Sequence, residues 1–494
     1  MISFLLALGA GVLNALAFAP FNWWPLGLVS FAVLFSVWMF SSPRTGFWSG
    51  FAFGLGQFGL GVSWMYVSLN TYGGMPPVMA GFSIFLVIAA LSVYPAFCGL
   101  LQSLTANWHP TVRVAIIMPC LWILFEWLRL NLFTGFPFLL SGYAYLDTPL
   151  SNYAPIGGTL LVGFIALMSV GSLVAVGRNV ALGNGMLAGL LIAVWIAGWQ
   201  LNETSWTRAV DRPITVSIVQ NNIPLAAKWD SDYASRIIGR YMEKSLPLTD
   251  SDLIVWPEAA VPDYLDNLSN AFWRDVEQHP ADFVFGVLHR DTRDAASRYY
   301  NSVVAVTDRI MIYRKQHLVP FGEYFPLQWL LGPLIGMLEI PMSDFSAWTK
   351  PQRPLEAADQ RFAMSICYED AFPADIRSQI PDAGVLINVS EDIWFGDSFA
   401  PHQRLQMARF RARESERPMI RSSNNGLSSL INWKGGIDRR APQFSEAVVT
   451  GSVQPRSGVT PYVAFGDSPV LSLAGLVLLL GIIFGRPRKQ DRAD

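Results

Sequence analysis

Long apolar runs constrain this chain more than any other feature. They recur at about 3–19, 24–40, 47–68, 79–101, 113–130, 157–176, 181–199 and 468–485. A bilayer core of about 30 Å takes roughly 20 apolar residues per helix. The pattern predicts a polytopic α-helical membrane domain of eight spans. In the first run, ALAFAP resembles a small-residue cleavage site, but no positive n-region precedes it. It therefore reads as a span, not as a signal peptide. Only 15% of the residues are charged, against about 25% in soluble domains. The formal net charge of -2 gives no sign of a nucleic-acid partner. Between about Asn202 and Ser468 the composition becomes that of a globular domain.

Positive charge orients the spans. Arg44, Arg113 and Arg178, and the basic end with Arg486, Arg488 and Lys489, all fall on one side of an eight-span arrangement. The excess of Lys and Arg on cytoplasmic loops makes that side the cytoplasm. Arg129 is the exception. The expected organisation is a seven-helix transmembrane domain over 1–200 and an extracytoplasmic α/β domain over 201–467. An eighth transmembrane helix over 468–485 and a basic cytoplasmic tail over 486–494 follow.

This placement decides how the three cysteines are read. Cys98 and Cys120 lie in predicted spans and read as small apolar packing residues. Cys367 is the one cysteine of the external domain, so it has no disulfide partner there, and a cysteine-built structural zinc site is excluded by count. An unpaired thiol outside the cytoplasm is a candidate reactive group.

Within the external domain, apolar and often β-branched runs at 214–220, 252–258, 282–288, 301–308, 361–367 and 383–390 predict strands. Helical patterns at about 231–246, 266–278, 372–380 and 398–416 lie between or after them. The alternation predicts a layered α/β domain with covered sheet faces. Three chemically capable residues fall at strand ends. Glu258 ends DLIVWPE, Lys315 follows IMIYR and Cys367 ends RFAMSIC. A carboxylate can take a thiol proton, and an ammonium can stabilise an oxyanion. A thiolate can attack a carbonyl and hold the acyl group as a thioester. A Cys–His pair through His317 or His402 is the competing reading.

The segments VWPE, YRKQHLVPFGEYFP and ICYED, in that order, resemble the three catalytic segments of the nitrilase superfamily. With eight spans around them, and with FAPFNWWPLG (18–27), EWLRLNLFTGFPF (126–138), YAPIGG (153–158) and QNNIPLAAKWD (220–230), they resemble its membrane-bound apolipoprotein N-acyltransferase family. The resemblance implies a nitrilase-like α-β-β-α sandwich with a Glu–Lys–Cys triad that needs neither cofactor nor metal. It implies ping-pong transfer from a phospholipid donor, typically phosphatidylethanolamine, to the N-terminal amine of an S-diacylglyceryl apolipoprotein. This is the last step of lipoprotein maturation and takes place at the bacterial inner membrane, with the catalytic domain periplasmic. It implies Glu258 as general base, Lys315 as oxyanion stabiliser and Cys367 as nucleophile. Glu323, Tyr368 and Glu369 would support them, the backbone N–H of Tyr368 helping to bind the oxyanion. Trp229 and Trp394 would lie on the lipid side. One position departs from the family pattern: Glu391 stands where Asn is more usual, which affects hydrogen bonding after the strand at 383–390.

The stretch 327–341, LQWLLGPLIGMLEIP, is apolar but broken by Gly332, Pro333 and Gly336. It is expected to dip into the outer leaflet as a lid, with Trp329 touching lipid. Glu126 and Arg129, at helical spacing in a membrane segment, are expected to pair with each other or to meet lipid headgroups. Two other functions use the same features: a membrane-tethered amidase or nitrilase hydrolysing a C–N bond, and a transporter or receptor without catalysis. The second leaves Glu258, Lys315 and Cys367 unexplained.

Overall fold

The computed structural model describes residues 1–178, 182–228, 231–291, 298–320, 322–324 and 345–484. The expectations for Trp229, Trp329, the 327–341 lid and the basic tail lie outside the described residues. The chain divides into two compact units. One comprises Met1–Tyr66, Pro76–Thr204 and the stretch from Ala464, and the other comprises Val67–Met75 and Ser205–Val463.

The first unit is helical. Its principal helices are Ile2–Ala15, Trp24–Met39, Pro43–Gly61, Pro77–Ser103, Met118–Asn131, Ala154–Arg178, Leu182–Gln200 and Ser468–Phe484. Each overlaps one of the eight apolar runs, although Pro43–Gly61 ends seven residues short of the run expected at 47–68. Among the described residues, four stretches are long and apolar enough to cross a membrane: Pro77–Ser103, Pro110–Thr134, Pro149–Arg178 and Gly183–Glu203. Ile2–Ala15, Trp24–Met39 and Ser468–Ile483 are shorter apolar helices.

Pro43–Gly61 is less apolar because it is built for close packing. A Cβ on Gly46, Gly50 or Gly54 would stand 2.3 Å from Gly99 O, 2.2 Å from Pro95 O or 2.6 Å from Ser92 Cα. The four-residue spacing puts all three glycines against helix Pro77–Ser103, the small-residue packing that lets membrane helices touch backbone to backbone. Further along the same helix, Gln57 Nε2 donates to Asn14 Oδ1 of helix Ile2–Ala15 at 2.9 Å. Cys98 and Cys120 are fully buried in the apolar core, as packing residues.

Glu126 and Arg129 are both buried, and both bond to the irregular segment that follows their helix. Glu126 accepts from Trp122 Nε1 at 3.0 Å, Ser141 N at 2.7 Å and Ser141 Oγ at 2.9 Å. Arg129 donates to the carbonyls of Phe136 at 3.0 Å and Leu139 at 3.3 Å, and to that of Phe138. Non-helical backbone is tolerated in an apolar unit only where protein groups satisfy it. These two side chains supply that satisfaction, which helical spacing alone did not reveal.

The second unit carries two sheets. One runs in the order Ala447–Val453, Ile214–Gln220, Leu253–Val255, Asp282–Asp291, Arg298–Val306, Ile310–Arg314, with Val261–Tyr264 pairing Asp282–Asp291. The other runs Ile437–Arg440, Ser429–Ile431, Met419–Ser423, Val385–Ser390, Gln360–Ile366, Leu355–Ala357. A shared core of Val216, Ile218, Val255, Val284 and Val303 from the first sheet and Phe362, Met364, Ile366, Ile387 and Ile420 from the second fixes them face to face. Helices Ser231–Ser245 and Asn270–Glu277 cover the outer face of the first through Ile237, Tyr241, Phe272 and Val276. Helices Pro373–Arg377 and Phe399–Ser415 cover the outer face of the second through Ile376, Leu405, Ala408 and Ala412. This is the expected α-β-β-α sandwich. Val67–Tyr72, a wide helical turn from between two apolar helices, also belongs to this unit. Tyr72 meets Trp394 edge-on at 6.5 Å.

Replacing Glu126 by Leu leaves the Ser141 N–H and the Trp122 Nε1–H buried without their acceptor. Unpaired buried donors of this kind cost about 1–3 kcal/mol each. The expected result is a lower Tm for E126L in detergent, read by intrinsic Trp fluorescence. An unchanged Tm would mean that water or lipid replaces the carboxylate.

Candidate functional site

Strand Gln360–Ile366 ends at Cys367, whose φ of 52° breaks the strand and starts the tight turn Cys367–Ala371. A non-glycine residue at positive φ is held there by its surroundings. Here the restraint includes Asn388 Nδ2, which donates to Cys367 O at 3.2 Å. The thiol is 8% exposed. Burial pushes its pKa up to about 12, with Glu258 and Asp392 adding to the rise and Arg404 and Lys315 opposing it. At neutral pH the sulfur carries its proton, so nucleophilic chemistry here requires a base.

A base is present on the opposing sheet. Strand Leu253–Val255 leads through Pro257 to Glu258, and Ala259 at φ 45° turns the chain back. Strand Asp282–Asp291 passes so close that a Cβ on Gly286 would lie 2.4 Å from Ala259 N and 2.7 Å from Glu258 Cα. Glycine at 286 therefore lets the Glu258 turn sit where it does. Lys315 Nζ lies 3.6 Å from Glu258 Oε1 and 2.8 Å from Glu323 Oε1. Asn301 Nδ2 donates to the same two oxygens, at 2.7 Å and 3.2 Å. Glu258 Oε2 is buried and makes no hydrogen bond among the described residues. Glu258 thus has one oxygen anchored and one available to take a proton. Burial alone would lower the Lys315 pKa. Glu323 and Glu258 overcome it and hold Lys315 above the ordinary lysine value, as an ammonium.

Glu369 is a brace. Its Oε1 accepts from Gln316 N at 2.6 Å and His317 N at 3.1 Å, and its Oε2 from Ile366 N at 2.7 Å and Tyr313 Oη at 3.1 Å. It ties the strand end carrying Lys315 to the strand end carrying Cys367. Burial raises its pKa to about 7 against the pull of those backbone donors. Glu323 Oε2 accepts from Val319 N at 2.9 Å. Tyr368 packs edge-on against Phe372, 4.9 Å between ring centroids. The His317 ring stacks on Phe372 at 3.7 Å, with Nδ1 3.3 Å from Asp375 Oδ2, so it is engaged on the aromatic side of the turn. His402 lies in helix Phe399–Ser415, and burial lowers its pKa.

Several buried polar residues around the site carried no sequence signal that was read. Asn301 is one. Arg404, Arg421, Asp370 and Asp392 form a buried network of two guanidinium and two carboxylate groups. Burial alone would raise Asp392, but Arg421 and Arg404 overcome it and hold it below the usual carboxylate range. Lys228 donates to the Glu258 backbone carbonyl at 2.9 Å and forms a buried ion pair with Glu391. Glu391 therefore does more than alter bonding after its own strand, because through Lys228 it supports the turn that carries Glu258. The wording AAKWD close to VWPE was a usable hint, but its partner lies 163 residues away.

Two outcomes follow from this geometry. Replacing Lys228 by Met strands Glu391 as a buried unpaired charge, and breaking a buried pair costs about 3–5 kcal/mol. Burial already raises the Glu391 pKa, and loss of Lys228 raises it further. A raised folded-state carboxyl contributes stability at acid pH that is lost as pH rises. The Tm deficit of K228M should thus be smallest in acid and widen toward neutral pH, and a pH-independent deficit would contradict this account. Separately, iodoacetamide alkylation of Cys367 should rise about tenfold per pH unit up to about pH 11, whereas an ordinary thiol levels off near about 8.5. Mass spectrometry of the Cys367 peptide reads the rate, and a plateau near 8.5 would contradict the buried, protonated thiol.

Comparison with known proteins accords with both units. Residues 10–172 match the apolipoprotein N-acyltransferase N-terminal domain family, and residues 215–462 match the carbon–nitrogen hydrolase family. The chain is 38% identical to the apolipoprotein N-acyltransferase of Methylococcus capsulatus, over 99% of this chain and 97% of that protein. Identity to the Pseudomonas aeruginosa protein of that name is 38%, with the same coverage. For the Nitrosomonas europaea protein it is 37%, over 96% of each chain. The chain belongs to the apolipoprotein N-acyltransferase family.

Proposed function

We propose that this chain N-acylates lipoproteins by moving an acyl chain from a membrane phospholipid onto the N-terminal amine of an S-diacylglyceryl cysteine, with Cys367 carrying the acyl group between the two. The observation that carries this reading is the Lys315 ammonium set between Glu258 and Glu323, with both Lys315 and Glu258 electrostatically coupled to the Cys367 sulfur. In the first half, Glu258 Oε2 takes the thiol proton and the sulfur attacks the ester carbonyl. The carbonyl oxygen gains charge beside Lys315. The lysophospholipid alkoxide then leaves with the proton from Glu258. In the second half, the acceptor amine attacks the thioester and Glu258 takes an amine proton. The C–S bond breaks, and the proton returns to the sulfur. Asn301 and Glu323 keep Lys315 and Glu258 aligned through both halves.

In this reading all eight apolar helices cross the cytoplasmic membrane of a bacterium. The sandwich lies on the periplasmic side, and phosphatidylethanolamine is the donor. Water in place of the amine would give hydrolysis by the same triad, the chemistry named by the carbon–nitrogen hydrolase match.

Incubating the full-length protein with phospholipid labelled in its sn-1 chain tests the reading. The expected result is labelled Cys367 peptide and released lysophospholipid, both absent in Cys367→Ala, and transfer of label to a diacylglyceryl peptide on addition of that acceptor. Release of free fatty acid without transfer would favour hydrolysis. Absence of any Cys367 adduct would reject the thioester route.

A further inference from the structure

The steps above leave Arg404 without a role, although it touches the reacting atom. Arg404 projects from helix Phe399–Ser415 and is 1% exposed. Its Nη1 donates to Cys367 Sγ at 3.5 Å, to Ser390 Oγ at 2.6 Å and to Asp392 Oδ1 at 2.6 Å, and its Nη2 reaches Asp370 Oδ1 at 3.4 Å. A guanidinium keeps its charge at any working pH, so it can act neither as acid nor as base. It can only favour negative charge on what it faces.

We propose that Arg404 is a catalytic residue of the acyl transfer, stabilising the Cys367 sulfur as a thiolate when it attacks and again when it leaves; this rests on reading Cys367 as the nucleophile. The division of labour between cations follows from the contacts. Lys315 is engaged by Glu258 and Glu323 and serves the carbonyl oxygen. Arg404 stands on the other sheet's covering helix and serves the sulfur. Asp370 and Asp392 do not need Arg404 alone as counter-charge, because Arg421 Nη1 lies 2.7 Å from Asp370 Oδ2 and Arg421 Nη2 3.2 Å from Asp392 Oδ2. Rather, the two carboxylates and Ser390 hold the guanidinium plane in place, and the Nη1 hydrogens they share also face the sulfur.

The electron count is simple. In the first half the S–H bond breaks, its proton passes to Glu258, and the electron pair left on sulfur is met by the Arg404 N–H before it forms the C–S bond. In the second half the C–S pair returns to sulfur and is met by the same N–H, which makes sulfur a better leaving group than an unassisted thiolate. Arg404 neither gains nor loses a proton. The charged groups felt at the sulfur come from every element around it. They are Arg404 from its helix, Lys315 and Glu258 from the strand ends of the opposing sheet, and Asp392 from the turn after Val385–Ser390. Glu369 and Asp370 share the turn of Cys367 itself. Two cations and two carboxylates act on the sulfur, so loss of either cation leaves it facing an excess of negative charge.

The test is alkylation of Cys367 in the full-length protein at about pH 9, with neutral iodoacetamide and anionic iodoacetate, in wild type, R404K and R404Q. An opposite charge within hydrogen-bond reach shifts a pKa by about 1–3 units. Below the thiol's own range this translates into at least about a tenfold slower reaction with iodoacetamide for R404Q. R404K, whose shorter side chain keeps the charge but loses the contact to sulfur, should fall between. The iodoacetate-to-iodoacetamide rate ratio should drop in R404Q, because the local positive charge that favours the anion is gone. A merely structural Arg404 would lower Tm and slow both reagents alike. R404K keeps a cation facing Asp370 and Asp392, and it supplies the folded variant if R404Q does not fold. A folded variant that reacts like wild type with both reagents overturns the proposal. So does a variant that slows with both reagents at an unchanged ratio. Failure of the wild type to form a thioester with phospholipid would reject the acyl-transfer reading while leaving the alkylation result standing, so the two failures are told apart.

Discussion

The Glu369 carboxylate is the interaction on which the site most depends. Two sheets packed through side chains fix the distance between their planes, but not the relative position of loops at their ends. Glu369 supplies that fix. It accepts from Ile366 N in the sheet that presents Cys367, and from Gln316 N, His317 N and Tyr313 Oη at the strand end that presents Lys315. Four donors aimed at one carboxylate are stiff, and charge-assisted bonds of this kind are roughly twice as strong as neutral ones. The strand end that presents Cys367 and the strand end that presents Lys315 are thereby tied together by one side chain. Asn301 does the matching work between Glu258 and Glu323.

That arrangement concentrates charge where water is scarce. Glu258, Glu323, Glu369, Glu391, Asp370 and Asp392 are countered by Lys315, Lys228, Arg404 and Arg421. Buried ions are costly unless paired and hydrogen-bonded. Each cation here meets a carboxylate, and each guanidinium bridges two. Such networks contribute little net stability compared with an apolar core. Their value is positional, since a guanidinium held between two carboxylates has no alternative orientation. The apolar layers of the sandwich, with Val216, Ile387 and Ile420 at the shared face, carry the fold, and the polar layer at the strand ends carries the geometry.

Much of this was legible in the sequence, and the reasons differ by residue. Glu258, Lys315 and Cys367 could be located because each follows an apolar strand, where a change of residue type stands out. The helices of the first unit were readable because apolar runs of that length have few other uses. Arg404 was hidden by its surroundings. It sits in SFAPHQRLQMARFRARESE, whose alternating charges look like a solvated helix, yet Arg404, Arg411 and Arg413 are all buried. Asn301 was hidden inside a strand, where an Asn reads as an irregularity. Lys228 and Glu391 were hidden by distance along the chain, since an ion pair is invisible until the fold brings its members together. Glu126 and Arg129 were legible only in part. Their helical spacing offered a local partner, whereas the structure turns both toward the irregular backbone at 136–141.

The same burial that makes the nucleophile hard to activate also protects it. Oxidation of a cysteine follows thiolate character and exposure. Cys367 has little of either at rest: it is 8% exposed, and burial pushes its pKa up to about 12. In the acyl-transfer reading proposed above, the thiolate forms when a carbonyl is in place to receive it, with Glu258 taking the proton and the flanking cations meeting the charge. A site with an exposed, low-pKa thiol would attack more readily but would not survive unacylated. On the proposed reading, protection and reactivity are reconciled by keeping a carboxylate and counter-charges assembled around a neutral sulfur.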